Sequence, residues 1–323
     1  MSALQSCTFG LSLVYQLFYG CVMTSSVDAS LQEEDIWFLI SPPRAGSTLL
    51  AHLLGNHPDI HAPTEPWIML ALQQFGKIRT DHQFGAGHVD EALQQSFNSK
   101  RDILLAEFAK LYFSMALPED KFVFLDKTPR YFWIVDWLYS IFPKARFLIL
   151  HRNPLDVVAS HKTTWGHNLD PTQLVANTST ASLDFLLAHG RIAEFAARHQ
   201  GSPRVLNVRY EDLVENPSSE LQKILSAFDL TKRRHKKPTV GINRTALSVE
   251  GFGDKKILDT NSIHKGSVGS WRNVLTPQEA GFYSHWFGIA KSKPDAATKS
   301  LIKEVKQSLA ARQVSDDEVL PLI

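Results

Sequence analysis

Short apolar runs alternate with longer amphipathic segments from Asp35 onward. Continuous apolar runs of four or five residues, bounded by turn-forming residues, are typical of strands buried on both faces of a sheet. We predict four such strands: Ile36–Ile40, Phe122–Leu125, Arg146–Leu150 and Val205–Val208. Strands that alternate with helices favour β-α-β units, so we predict an α/β fold with one parallel sheet flanked by helices in a single domain.

Helical periodicity marks the segments between and after these strands. The predicted helices are Ser47–Asn56, Val89–Ala116, Tyr131–Ile141, Leu155–Thr164, Ser182–His199, Ser218–Phe228, Pro277–Ala290 and Asp295–Ala311. The last carries its charges on one side and apolar residues on the other, which predicts that it packs on the core.

The N-terminal 27 residues contain no charged side chain, and the first basic residue is Arg44. A signal peptide needs a basic region, and the interrupted apolar stretch from Phe9 to Met23 is shorter than the roughly 20 residues that span a bilayer. We therefore divide the chain into an N-terminal extension, residues 1–34, and one main domain, residues 35–323. A membrane anchor, a loosely packed extension and translation from Met23 remain alternatives for the first segment.

Composition places the chain among ordinary globular proteins. Of 323 residues, 44% are hydrophobic, and 34 basic against 33 acidic residues give a formal net charge of +1. This balance gives no basis for bulk nucleic-acid binding and excludes a disordered chain.

The only two cysteines, Cys7 and Cys21, precede the first strand. No disulfide can then link the core, which favours a reducing, cytoplasmic location, with membrane association through the uncharged segment as the alternative.

The first chemical motif is Ile36 to Leu50, IWFLISPPRAGSTLL, where a strand leads through a loop directly into a helix. Gly46 lets the backbone approach a ligand closely, and the amides of residues 46–48 would point from the helix N-terminus, where the helix dipole favours an anion. The Walker A pattern G-x-x-x-x-G-K-S/T is not met, because the first glycine and the lysine are absent. A purely structural turn is the alternative.

A second motif, Arg146 to Trp165, repeats the arrangement of strand, turn and helix. Arg152 stands at the strand end and Ser160 lies about two helical turns later, so a guanidinium and a hydroxyl could converge on one phosphate. Two anion sites on one sheet suggest a nucleotide with two phosphate positions. An ion pair with Asp156 is the alternative for Arg152.

Four motifs in order, PRAGST, RNPLDVVAS, VRYEDLVENP and HKGSVGSW, resemble the sulfotransferases that use 3'-phosphoadenosine 5'-phosphosulfate. The resemblance extends from about Ile36 to Trp271 and implies a P-loop-like α/β fold with this nucleotide as co-substrate. We expect no metal, because positive side chains can neutralise the charge of the transferred group. The resemblance implies that Arg44, Ala45, Gly46, Ser47 and Thr48 hold the 5'-phosphosulfate, and that Arg152, Ser160, Lys265 and Gly266 hold the 3'-phosphate. It further implies that Tyr210 lies near the adenine.

The loop departs from the cytosolic branch of that family, which has a lysine there and a histidine base. Arg44 is similar instead to the tyrosylprotein and bacterial branches, with a P-R-x-G-S/T-T loop and a glutamate base after the first helix. Glu65 occupies the similar place. His264 stands where the cytosolic branch has arginine, which puts one 3'-phosphate contact in doubt.

Transfer of a sulfuryl group requires a base for the acceptor proton and positive charge at the leaving oxygen. We predict Glu65 as the base and Arg44 as the group that stabilises the bridging oxygen. Lys127 follows a strand and would point from the carboxyl edge of the sheet, where ligands bind in open α/β folds, so we predict contact with the sulfuryl group.

Structural roles stay open for each of these residues. Glu65 could be a first-turn helix acid, and Lys127 could pair with Asp126 or Asp136 at the surface. Single histidines are more often structural than metal ligands, which applies to His57, His61, His167 and, as a weaker catalytic candidate, His151. Trp67, Trp133 and Trp165 could line an acceptor cleft or pack in the core, and Lys232 to Lys237 could attract an anion or form a solvated loop.

Two other functions compete with sulfuryl transfer. A nucleotide kinase or hydrolase is one, because the strand ending at Asp126 resembles a metal-binding strand end. A nucleotide-binding module without catalysis is the other. The expected acceptor is a hydroxyl or amine of a small molecule, carbohydrate or lipid, and its identity and the oligomeric state are not encoded in any recognisable pattern.

Overall fold

The computed structural model describes residues 31–75, 95, 100–176, 180–230, 263 and 265–311. At its centre lies a parallel five-stranded sheet with the order β2-β3-β1-β4-β5. The strands are β1 Ile36–Ile40, β2 Ile60–His61, β3 Val123–Asp126, β4 Arg146–His151 and β5 Val205–Arg209. The chain is therefore an α/β protein with one parallel sheet, as the sequence predicts.

Strand β1 occupies the middle of the sheet. It pairs with β3 on one side and β4 on the other, so that Phe38 lies opposite both Asp126 and Phe147. The connections after the neighbouring strands β1 and β4 leave in opposite directions along the sheet, and such a switch point opens a crevice beyond the carboxyl ends of the strands. The loops after β1, β3 and β4 all begin at this edge.

Helices cover both faces of the sheet and its C-terminal side. They are α1 Ser47–Gly55, α2 Ile68–Gln73, α3 Arg101–Ala116, α4 Val135–Ile141, α5 Pro154–Trp165, α6 Pro171–Ala176, α7 Thr180–Arg198, α8 Tyr210–Glu215, α9 Pro217–Ala227, α10 Trp271–Val274, α11 Pro277–Trp286 and α12 Ala296–Ala311. Short 3-10 turns occupy Glu33–Asp35 and Pro129–Trp133.

Alternation along β1 divides the core into two layers. Ile36, Phe38 and Ile40 pack with α2, α3, α4 and α7 on one face, whereas Trp37 and Leu39 pack with α1, α8 and α9 on the other. Successive side chains of a strand point to opposite faces, and helices on both faces explain why all five β1 residues are buried.

Local sequence sets where the helices of the site begin. The side chain of Asn153 accepts a hydrogen bond from the Leu155 amide at 2.9 Å, and Pro154 fills the first turn of α5. Helix α11 starts with a capping box formed by Thr276 and Glu279. Both helices therefore begin at residues whose side chains satisfy amides that have no acceptor within the helix.

All four predicted strands are confirmed to within one residue at either end. The two-residue strand β2 and helices α2, α6, α8 and α10 were not predicted, because each is too short to show a period. The predicted helix Tyr131–Ile141 is instead a 3-10 turn followed by α4, and α11 ends at Trp286 rather than Ala290. Helix α12 packs on the core through Val305, as expected from its apolar side. Of the predicted helix Val89–Ala116, the structure shows Arg101–Ala116 as α3, and residues 89–94 and 96–99 lie outside the described residues.

Packing of the core begins early in the described chain. Leu31 is buried with the layer beneath α3, and its amide donates a hydrogen bond to Ser114 Oγ at 3.0 Å. The uncharged segment with Cys7 and Cys21 lies outside the described residues. Within the described part of the chain, no helix is long and apolar enough to cross a bilayer.

Candidate functional site

The loop between β1 and α1 forms a cradle of backbone amides. Gly46 is the N-cap of α1 with φ of 98°, and Arg44 also lies in the left-handed region with φ of 67°. Ala45 is buried, which fixes the loop on the core. The amides of residues 46–48 lie where helix α1 starts, in an arrangement that binds anions in many proteins.

Tyr210 explains why residue 46 has no side chain. A Cβ placed on Gly46 would lie 2.5 Å from Cε2 of the Tyr210 ring. The guanidinium of Arg152 lies over the same ring, 4.4 Å from its centre, in a cation-π contact. Tyr210 was expected near an adenine. The structure places its ring between the first loop and Arg152, with 6% of its surface exposed.

Arg152 links the two motifs that were predicted to hold separate anions. Its Nη1 donates to the backbone oxygen of Arg44 and its Nη2 to that of Ser267, each at 2.9 Å. The residue is 8% exposed, and burial lowers its pKa. Its Nε is buried and has no hydrogen-bond partner among the described residues. Arg152 thus joins the first loop to the C-terminal segment.

Arg44 extends toward helix α5. Its Nε donates to Ser160 Oγ and its Nη2 to Thr164 Oγ1, both at 3.3 Å, and its guanidinium lies 5.2 Å from the centre of the Trp165 ring. The structure therefore brings the predicted 5'-site residue Arg44 into contact with the predicted 3'-site residue Ser160. Burial lowers the pKa of neighbouring His161 to about 3, so its imidazole is neutral beside Arg44.

Lys127 and Glu65 form a buried ion pair at the end of β3. Nζ of Lys127 donates to Glu65 Oε1 at 2.7 Å and to Thr48 Oγ1 at 3.4 Å. The surface alternative for Lys127 is wrong, because the residue is buried and Asp136 binds Arg198 instead. The alternative that Glu65 is a first-turn helix acid is also wrong, because α2 begins at Ile68.

Asp126, the residue before Lys127, is fully buried and accepts two hydrogen bonds. Thr128 Oγ1 donates to its Oδ1 at 3.1 Å and the Tyr131 hydroxyl to its Oδ2 at 2.8 Å. Burial raises the pKa of Asp126 to about 7 against the opposing effect of these bonds. The kinase alternative rested on Asp126 as a metal ligand at this strand end. Its carboxyl group instead points inward and binds two hydroxyls.

The segment after residue 264 is tied to α5 by Asp156. The carboxylate accepts hydrogen bonds from the amides of Gly269 and Trp271, at 2.8 and 3.1 Å, and from the Ser270 hydroxyl. Asp156 therefore binds the backbone of this segment. The alternative from the sequence was an ion pair between Asp156 and Arg152. The side chain of Lys265 is exposed and pairs with Glu215 at 2.6 Å.

Gly266 is exposed next to Lys265, and His264 and the charged run 232–237 lie outside the described residues. The exposed residues Lys265 and Gly266 form an outer rim of the molecule, whereas Arg152 is buried. Ser267, the next residue, supplies the carbonyl that Arg152 holds.

Three of the other candidate histidines and tryptophans make contacts within the fold. Trp133 is buried in the core and donates to Asp184 at 3.0 Å, so it does not line a cleft. His57 accepts a hydrogen bond from the Asp59 amide, and His151 bonds Asn207 at 2.7 Å. Among the described residues, no group of three or more histidine, cysteine or acidic side chains could hold a metal.

Several site contacts carry no recognisable signal in the sequence. Thr164 and Trp165 flank Arg44, the carbonyl of Ser267 meets Arg152, and Thr128 and Tyr131 bind Asp126. Backbone carbonyls are the same for every residue type, so sequence cannot identify them. Thr128 and Tyr131 lie within the segment LDKTPRY, and only their nearness to Lys127 pointed to the site.

Known proteins resemble this chain in sequence. A family model described as "Sulfotransferase family" matches residues 37–234. "Nodulation protein NoeE" of Sinorhizobium fredii is 37% identical over 76% of this chain, and the chain spans 61% of that relative's length. A "Putative protein-tyrosine sulfotransferase" of Caenorhabditis briggsae is 22% identical over 74% of this chain and 81% of its own.

Two solved sulfotransferase domains are also similar to this chain. The sulfotransferase domain from the curacin biosynthetic pathway is 18% identical, covers 84% of this chain and 97% of its own, and gives a TM-score of 0.48. The sulfotransferase domain of the Synechococcus olefin synthase is 23% identical, with 83% and 93% covered and a TM-score of 0.49.

Proposed function

The chain belongs to the sulfotransferase family, and we propose that it transfers a sulfuryl group from 3'-phosphoadenosine 5'-phosphosulfate to a hydroxyl or amine acceptor. The observation that carries this proposal is the buried Lys127–Glu65 pair beside the amide cradle, with Thr48 of that cradle 3.4 Å from Nζ of Lys127. A base and a cation next to an anion cradle are the parts that sulfuryl transfer requires.

The residues of the crevice fit this nucleotide. Gly46 has no Cβ, which lets the Tyr210 ring pack against the cradle, and the amides of residues 46–48 suit the 5'-phosphosulfate. Arg152 carries a buried Nε with no partner among the described residues, which suits the 3'-phosphate together with Ser160. Lys265 and Gly266 would close over that phosphate from the rim, and Tyr210 would lie near the adenine.

The donor, when bound, supplies the activated sulfuryl group and a nucleotide leaving group. Glu65 would accept the proton of the acceptor hydroxyl, because its carboxylate is held in place by Lys127. Of the three N–H donors on an ammonium group, Lys127 directs one to Glu65 and one to Thr48, and the third would contact a sulfuryl oxygen.

We assign three cations to the donor, Arg44 and Lys127 to its sulfuryl end and Arg152 to its 3'-phosphate. Arg44 would neutralise the charge that develops on the bridging oxygen, with Ser160 and Thr164 orienting its guanidinium. With Lys127 and Arg152 these side chains supply the positive charge of the site, and we propose that the chemistry needs no metal. The half-exposed ring of Trp165, beside Arg44, is a surface on which a carbohydrate or lipid acceptor could lie.

Thermal unfolding tests the donor class. We expect adenosine 3',5'-bisphosphate, the desulfated donor, to raise the Tm in the presence of EDTA, since a ligand at 100 times its Kd stabilises a protein by about 2.7 kcal/mol. ADP at the same concentration should raise it less. A protein stabilised by ATP with magnesium and not by the bisphosphate would be a nucleotide kinase or hydrolase, and the proposal would be wrong.

A further inference from the structure

A strained turn follows the proposed base. Trp67, two residues after Glu65, has φ of 59° and ψ of −2° and forms the N-cap of α2. A bulky residue in the left-handed region costs about 1–3 kcal/mol and persists only where its surroundings hold it. The contacts that hold Trp67 therefore also decide where Glu65 lies.

Two side-chain hydroxyls from the segment after β3 hold this turn. The Trp67 amide donates to Thr128 Oγ1 at 3.3 Å, and the Met69 amide donates to the Tyr131 hydroxyl at 3.2 Å. The Met69 amide lies in the first turn of α2, where amides have no acceptor within the helix. Without these hydroxyls, both amides would lose the acceptors that they have in the folded protein.

Asp126 sets the direction of both hydroxyls. An amide can only donate, so each hydroxyl accepts from the turn and needs another acceptor for its own proton. The two carboxyl oxygens of Asp126 accept one hydrogen bond each, Oδ1 from Thr128 Oγ1 at 3.1 Å and Oδ2 from the Tyr131 hydroxyl at 2.8 Å. All three side chains are buried, so water does not replace these bonds.

We propose that Asp126 is a positioning residue for the reaction, which acts through Thr128 and Tyr131 to hold the turn that places Glu65 against Lys127. Asp126 and Lys127 are neighbours at the end of β3, and successive side chains of a strand point in opposite directions. The end of β3 thus supplies both the lysine that contacts Glu65 and the carboxyl group that holds the turn after Glu65. This inference rests on the proposed function.

Removal of single hydroxyls tests the inference by turnover. We expect Tyr131→Phe and Thr128→Ala to lower kcat by about 10-fold or more, since small displacements of a catalytic group are costly. The KM for the donor and the Kd of the bisphosphate should stay within about 2-fold, because neither residue belongs to the cradle. Thr128→Ser keeps the hydroxyl and should restore kcat.

A matched control separates positioning from the loss of a buried hydroxyl. Tyr283 is as buried as Tyr131, and its hydroxyl donates to the Leu169 carbonyl at 2.6 Å on another part of the fold. Tyr283→Phe should lose comparable stability and keep its kcat. An equal fall of kcat in both phenylalanine variants would overturn the inference.

Amide hydrogen exchange gives a second measurement that needs no turnover. Exchange at Trp67 should accelerate in Thr128→Ala, and exchange at Met69 should accelerate in Tyr131→Phe, while core amides of β1 stay protected. Unchanged exchange at both amides would contradict the inference even in a protein without activity. A wild-type protein that binds no donor would instead contradict the proposed function, so the two failures are distinguishable.

Discussion

Glu65 and Lys127 are 62 residues apart in the chain and meet in an ion pair of 2.7 Å, with 11% and 4% of their side chains exposed. Burying two charges costs several kcal/mol per ion, which the attraction between them repays only with good geometry, so such a pair is weak evidence for a role in stability. Its position at the carboxyl edge of the sheet, against Thr48 of the amide cradle, fits a role in chemistry.

Glu65→Gln should lower kcat by a factor of about 10² to 10⁴, the usual worth of a general base. The Kd of the bisphosphate should change little, because Glu65 does not belong to the cradle. Steady-state kinetics with saturating donor, together with calorimetric titration of the bisphosphate, measures both quantities. A glutamine variant with wild-type kcat would show that another group takes the proton.

Glu279→Gln is the matched control. Glu279 accepts two hydrogen bonds from Lys162, at 2.6 and 2.9 Å, and it caps α11. We expect this variant to lose stability, because both the ion pair and the capping box are weakened, and to keep its kcat. A comparable fall of kcat would indicate that a partly buried lysine–glutamate pair elsewhere also affects turnover through the fold.

Gly46→Ala should destabilise the protein more than Gly201→Ala. Both glycines have positive φ, 98° and 83°, but a Cβ on Gly201 meets no atom within 4 Å, whereas a Cβ on Gly46 meets the Tyr210 ring. Both substitutions strain the backbone, and overpacking adds about 1–3 kcal/mol at residue 46 only. Urea unfolding measures the difference, and equal losses would mean that Tyr210 moves aside.

Asp126→Asn should change how stability depends on pH. Burial raises the pKa of Asp126 in the folded protein from 3.8 to about 7. The stability that this carboxyl group contributes is therefore fully present below pH 3.8 and is lost as the pH rises through 7. The free energy of unfolding of the wild type, minus that of the variant, should therefore fall between pH 5 and 7, by at most about 1.4 kcal/mol per pH unit. A constant difference over this range would contradict the shifted pKa.

Lys265→Ala should weaken binding of the bisphosphate with little loss of stability. The side chains of Lys265 and its partner Glu215 are 58% and 57% exposed, and exposed pairs are worth about 0–1 kcal/mol. Glu215→Ala breaks the same pair and leaves the lysine, so it should bind the bisphosphate as the wild type does. Equal weakening in both variants would mean that the pair shapes the rim and Lys265 holds no phosphate.

Much of the fold is predictable because β1, β3 and β4 are buried on both faces, whereas the edge strand β5 buries only Val208. Continuous apolar sequence is the direct consequence of helices on both sides of a parallel sheet. Strand β2 has only two residues, and it forms because Ile60 and His61 pair with the adjacent β3. A pairing of that length is set by tertiary contacts and leaves no pattern in the sequence.

The site residues at the ends of the strands were predictable from the sequence, whereas the contacts made by the loops were not. Arg44, Arg152 and Lys127 each follow a strand that ends at the same edge, and a parallel sheet brings such residues together. The contact of Arg152 with the Ser267 carbonyl and the turn at Trp67 depend on how distant loops pack. These contacts could not be predicted, because no periodicity or residue spacing in the sequence indicates them.

The measurement that tests the central claim most directly is calorimetric titration of adenosine 3',5'-bisphosphate into wild-type protein and Arg152→Ala in EDTA, with ADP as the comparison. We expect the wild type to bind the bisphosphate at least about 10-fold more tightly than ADP. The variant should lose about 1.5–3 kcal/mol, or roughly 10- to 150-fold in Kd, for the bisphosphate alone. ADP binding as tight as that of the bisphosphate, or binding only with magnesium, would contradict a donor held through its 3'-phosphate.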